Sequence, residues 1–184
     1  LDACHLSGYW TEGRIMFAVG LDADNHCVIA AFAIVDSECT RSYQWMLSQM
    51  KQHEVMNEIL GHEELVIVSD RSKGLINAVR AELPGAWHMH CTRHIVSNVK
   101  AHLAQRELPK LAEAGENTIW AAQAAMTAGE FQAAMLRLRQ LSEGAADYSE
   151  QIEPAVWAAH AIAKPTYGIR TSNLAEQINA AVAD

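Results

Sequence analysis

Three apolar runs crowd the first 35 residues: Leu1–Leu6, Arg14–Gly20 (RIMFAVG) and Cys27–Val35 (CVIAAFAIV). Between them lie only short stretches of turn residues, 7–13 and 22–26. Parallel neighbours need a crossover of about a dozen residues or more, so gaps this short force hairpins. The first 35 residues must therefore begin an antiparallel sheet. The third run is almost wholly apolar, which predicts a strand covered on both faces.

Thereafter the period changes. Thr40 is a plausible N-cap, and Tyr43, Met46, Leu47, Met50, Val55, Ile59 and Leu60 recur at helical spacing up to Gly61. A fourth strand is expected over Leu65–Ser69, a helix over Lys73–Leu83 stopped by Pro84-Gly85, a fifth strand over Ala86–Met89 and a helix over Cys91–Gln105. Beyond Pro109 the segments Leu108–Thr127, Glu130–Ser142 and Tyr148–His160 are Ala-rich and helix-periodic, with no strand candidate among them. A last helix carries Leu174, Ile178 and Val182 on its apolar face. The expected class is α/β: a mixed five-stranded sheet flanked by helices, with an all-helical insertion before the last helix. This order is similar to that of the ribonuclease H-like fold. There the first and fourth strands lie side by side at the sheet centre, which would make neighbours of Asp2 and Asp70.

With 184 residues, 50% apolar and 20% charged, the chain suits one globular domain, with or without an insertion. No apolar stretch approaches the roughly 20 residues that span a bilayer, so no membrane partner is expected. The first residues contain Asp2 and His5 and lack the basic start of a signal peptide. The chain opens on Leu1 with strand-like residues and closes within a helix, so it is expected to be a domain cut from a longer protein. Cys4, Cys27, Cys39 and Cys91 are scattered without a C-x-x-C, which implies a reducing compartment rather than disulfides. A formal charge of −8 argues against a strongly basic nucleic-acid module.

The chemistry lies in carboxylates that end apolar runs. Asp2 is read as a metal ligand on the first strand, or more plainly as a surface Asp. Asp70 ends VIVSD and precedes the polar turn Arg71-Ser72-Lys73-Gly74; it is a metal ligand, a helix cap shared with Ser69, or both. Glu176 forms a polar stripe with Asn173 and Asn179, either a solvated face or one turned to the carboxylate rim. Carboxylates gathered at one rim repel unless a divalent cation lies between them. His88, His90, Cys91 and His94 form H-x-H-C-x-x-H, in which Cys91 and His94 share a helical face; they make half of a Zn2+ site completed by His88, His90 or His160, or a buried thiol with a hydrogen-bonded imidazole. Trp45, Trp87, Trp120 and Trp157 read as packing, with a stacked base as the alternative for Trp157.

Together these segments resemble the catalytic domain of Mutator-like element (MULE) transposases, a branch of the DDE transposases. The resemblance runs through LDACHL, AVGLDADNH, AFAIVDSE, SYQWML, VIVSDRSKGLINAV, PGAWHMHCTRHIVSN and TYGIRTSNLAEQINAAV. It implies that Asp2, Asp70 and Glu176 are the catalytic carboxylates, Asp2 bridging two Mg2+ or Mn2+ ions while Asp70 and Glu176 each hold one. It matches Cys91 and His94 to the family's C-x-x-H. It further implies a catalytic core over 1–106, a helical insertion over 107–164 and a closing helix over 165–184. The activity implied is DNA strand cleavage and transfer in the nucleus, on transposon ends and target DNA, by a homo-oligomer. The alternative is a domesticated, catalytically silent, DNA-associated regulatory domain. One departure concerns Ala183, which stands seven residues after Glu176 where relatives often carry Lys or Arg for a DNA phosphate.

Overall fold

A computed structural model describes residues 1–5 and 13–182, and the side chains of all but the last four of these. The hairpin loop expected over Ser7–Gly13 therefore lies almost wholly outside the described residues, as do Ala183 and the side chains of Asn179 and Val182.

The chain divides into two units, residues 1–88 with 171–184, and residues 89–170. The first is mixed α/β. Its strands β1 (Asp2–His5), β2 (Arg14–Leu21) and β3 (Cys27–Val35) form an antiparallel sheet in that order. The β2–β3 turn closes because the Asp22 carboxylate accepts the amides of Asp24 (2.9 Å) and His26 (2.8 Å) while Asn25 takes φ 63°. The His26 amide leads in holding the Asp22 carboxyl below its usual range. Strand β2 is central, and Ile15, Met16, Phe17 and Ala18 are all buried.

Helices α1 (Thr40–Lys51), α2 (Glu54–Gly61) and α3 (Lys73–Glu82) follow, with β4 (Val66–Ser69) between the last two. Strand β4 pairs in parallel with β5 (Trp87–His90), and Trp87 N donates to Leu65 O at 2.8 Å. Met16, Tyr43, Leu47, Leu75 and Val79 centre the core of this unit. Helix α8 (Asn173–Val182) packs against β1 and β2.

The second unit is built from α4 (Thr92–Gln105), α5 (Glu113–Ala124), α6 (Ala128–Leu141) and α7 (Glu143–Glu150), then 3-10 turns at Pro154–Val156 and Ala159–Ala161. Its core gathers Ile95, Val99, Leu103, Ile119, Leu138 and Trp157, each fully or almost fully buried. No described helix is long and apolar enough to cross a membrane.

Five local expectations are corrected. The cap of α1 is Cys39, with Thr40 the first helical residue. The helix expected to run unbroken to Gly61 is two, parted at Gln52 and His53. The helix expected over Tyr148–His160 stops at Glu150, because Pro154 has no amide to give and its ring excludes the preceding turn. Strand β3, an edge of its sheet, is not covered on both faces: Ala33 is buried, while Val28, Ile29, Phe32 and Ile34 are exposed because no described element packs over them. Trp45 is likewise half exposed rather than core, while Trp157 is fully buried and so unavailable to stack on a base.

Candidate carboxylate site

The two aspartates reach one place by different routes. Asp2 opens β1 and Asp70 directly follows β4. Leu1 N donates to Val68 O at 3.0 Å, which sets the start of β1 beside the end of β4.

Tyr43, on the buried face of α1, registers both charges. Its side chain is 1% exposed and its hydroxyl donates to Glu38 Oε1 at 2.8 Å. Burial, then the charge and hydrogen bond of Glu38, then the charges of Asp70 and Asp2 drive its pKa far upward, so the hydroxyl stays a donor. Asp2 also adds to burial in raising the Cys4 thiol.

The turn after β4 holds Asp70 through its backbone and its carboxylate. Ser72 N donates to Asp70 Oδ1 at 3.1 Å. Ser72, not Ser69 or Asp70, is the cap residue of α3, and its side chain makes no cap bond. The cap reading of Asp70 thus narrows to one bond to the cap residue's own amide.

Glu176 lies in the first turn of α8, half-buried. Its amide donates to Ser172 O at 3.1 Å, and Ser172 Oγ donates to Glu176 Oε1 at 3.2 Å. Asp2, Asp70 and Glu176 therefore all belong to the α/β unit. Carboxylates are hard oxygen donors of the kind Mg2+ and Mn2+ take, so the chemistry of this donor set fits such ions.

Cys91 and His94 belong to the helical unit. Cys91 is the fully buried cap residue of α4, and His94 lies three residues on, near one helical turn. Thiolate and imidazole suit zinc better than magnesium. Of the other histidines proposed to join them, His88 places its Nε2 2.7 Å from Ser69 Oγ, and the ring of His160 lies 4.8 Å from that of Phe131.

Sequence reasoning passed over Glu38, Tyr43 and Ser69. Tyr43 looked like one more apolar position of a helix, and only its phenol distinguished it. Glu38 stood within the AFAIVDSE stretch with no visible partner. Ser69 was weighed only as a cap.

The family model described as MULE transposase domain matches residues 1–98. No curated protein matches the sequence.

Proposed function

Because the chain belongs to the MULE transposase family, we propose that it is the catalytic domain of a DNA transposase, cutting and joining DNA strands with divalent cations held by Asp2, Asp70 and Glu176. The observation that carries this reading is the Leu1 N–Val68 O bond, which sets the start of β1, where Asp2 lies, beside the end of β4, which Asp70 follows. Two acids so far apart in sequence gain nothing from adjacency unless something positive joins them. The Leu1–Val68 bond supports the finer fold as well, a continuous sheet ordered β3-β2-β1-β4-β5 as in ribonuclease H-like proteins.

In this reading the three carboxylates arise from three elements and hold two ions, Mg2+ or Mn2+. When bound, such a pair activates a water or a terminal 3′-hydroxyl and stabilises the departing 3′-oxygen. The chain's own work is to orient. The Ser72 amide holds Asp70, and Ser172 holds Glu176 against the helix end. Tyr43 meets the acidic rim with a protonated hydroxyl, so it adds no further negative charge. The substrates are transposon ends and target DNA, the site of action is the nucleus, and the working form is a homo-oligomer. Cys91 and His94 are proposed as a structural pair, with Zn2+ as their ion if they take one.

A second reading, a catalytically silent DNA-associated domain, is favoured by the net charge of −8 and by Ala183 in place of a basic residue. One variant decides between them. Asp70→Asn is expected to lose Mn2+-dependent strand cleavage by several orders of magnitude with its circular dichroism and melting temperature unchanged. Wild-type protein that neither cleaves nor binds Mn2+ would establish the silent reading. Metal analysis of the purified protein tests the zinc assignment.

A further inference from the structure

Asp70 is held from a side that the proposed chemistry does not use. Ser69, the last residue of β4, is fully buried. Its Oγ donates to the main-chain carbonyl of Asp70 at 2.8 Å and lies 2.7 Å from His88 Nε2. A hydroxyl has one proton to give. The Asp70 carbonyl can only accept, so that proton goes to it. His88 must then be the donor, and its Nε2 carries hydrogen. The result is a directed relay, from the His88 imidazole to the Ser69 hydroxyl to the Asp70 carbonyl. The bond from Trp87 N to Leu65 O sets β5 in register with β4, residue 88 abreast of residue 67, so His88 reaches Ser69 diagonally, two residues along the same face.

We propose that Ser69 and His88 are positioning residues for Asp70, locking the peptide group from which its carboxylate departs. The Ser72 amide takes Oδ1, which leaves Oδ2 as the donor for a cation. A carboxylate pinned through both its main chain and one oxygen loses little freedom when an ion binds. Outer partners of this kind carry about 10–100-fold in metal affinity. The inference rests on the assignment of Asp70 as a metal-binding carboxylate.

The test is a Mn2+ titration of the full-length protein followed by electron paramagnetic resonance, with thermal melts alongside. Ser69→Ala and His88→Ala are expected to weaken Mn2+ binding about tenfold. Ser69→Thr keeps a hydroxyl and His88→Gln keeps a donor, so both are expected to bind Mn2+ within about threefold of wild type. A merely structural role would lower the melting temperature and leave Mn2+ affinity alone, and the conservative variants guard against misfolding of the alanine ones. Wild-type affinity in both alanine variants, with Asp70→Asn unable to bind, would overturn the relay and spare the carboxylate site. Wild-type Mn2+ binding by Asp70→Asn would overturn both.

Discussion

Cys39 shows how a single position acquires chemistry from its neighbours. Its Sγ is 3.4 Å from Ser42 Oγ and accepts from Ser37 Oγ at 3.6 Å. The Ser42 hydroxyl, then amides at the start of α1 and the Ser37 hydroxyl, bring the thiol down to about 7. Each of these donors favours the thiolate. Cys39 is therefore expected to alkylate first among the four thiols, with a rate half-maximal near pH 7 that falls as the pH drops below it. Mass spectrometry of iodoacetamide-treated protein across pH 5–9 would check this, and Ser42→Ala is expected to move the midpoint upward. Cys4 is expected to lag, since burial and Asp2 raise its pKa. The residue types at Asp2, Asp70 and Glu176 were readable in the sequence as acids ending apolar runs. Their hydrogen-bond partners were not, because Ser69 finds His88 across a strand pair and Tyr43 finds Glu38 around a helix start.

At the level of elements, phase and close approach set the outcome. Continuing α1 without a break would carry the Met46–Met50 face onto Glu54, Asn57 and Glu58. Parting the helix at His53, whose backbone is extended, resets the phase so that Leu60 is buried and Met56 packs on the core. Spacing alone could not show this, since apolar residues recur on both sides of the break. The packing of α3 on α1 depends on Gly74. A Cβ there would sit 3.1 Å from Thr40 N and 3.2 Å from Cys39 C, both backbone atoms that cannot swing aside. Gly74→Ala is therefore expected to cost about 1–3 kcal/mol in urea unfolding, in spite of the roughly 1 kcal/mol that alanine brings to a helix interior. A neutral or stabilising result would show that the two helices part easily. The edge position of β3 also escaped the sequence. An apolar run of strand length looks the same whether its neighbours are two strands or one.

At the level of the whole molecule, each unit carries its own core, and α4 shows where the second begins. Its Ile95, Val96, Val99 and Leu103 join the core formed by α5, α6 and α7. Trp157 lies at the heart of that core, fully buried and 5.7 Å edge-on from Phe131. Trp157→Ala is expected to cost about 3–5 kcal/mol, read as an early calorimetric transition. Its loss with no change in melting would remove Trp157 from the core. The order of strands and helices, the helical block after Pro109 and the family resemblance were all legible, because periodicity and short gaps are local properties of a chain. What meets what was decided only on folding. Which strand forms the edge, that β1 begins beside the end of β4, and that Ser69 meets His88 are set by contacts between residues remote in sequence. No local pattern encodes such contacts, since they exist only once the strands and helices have packed.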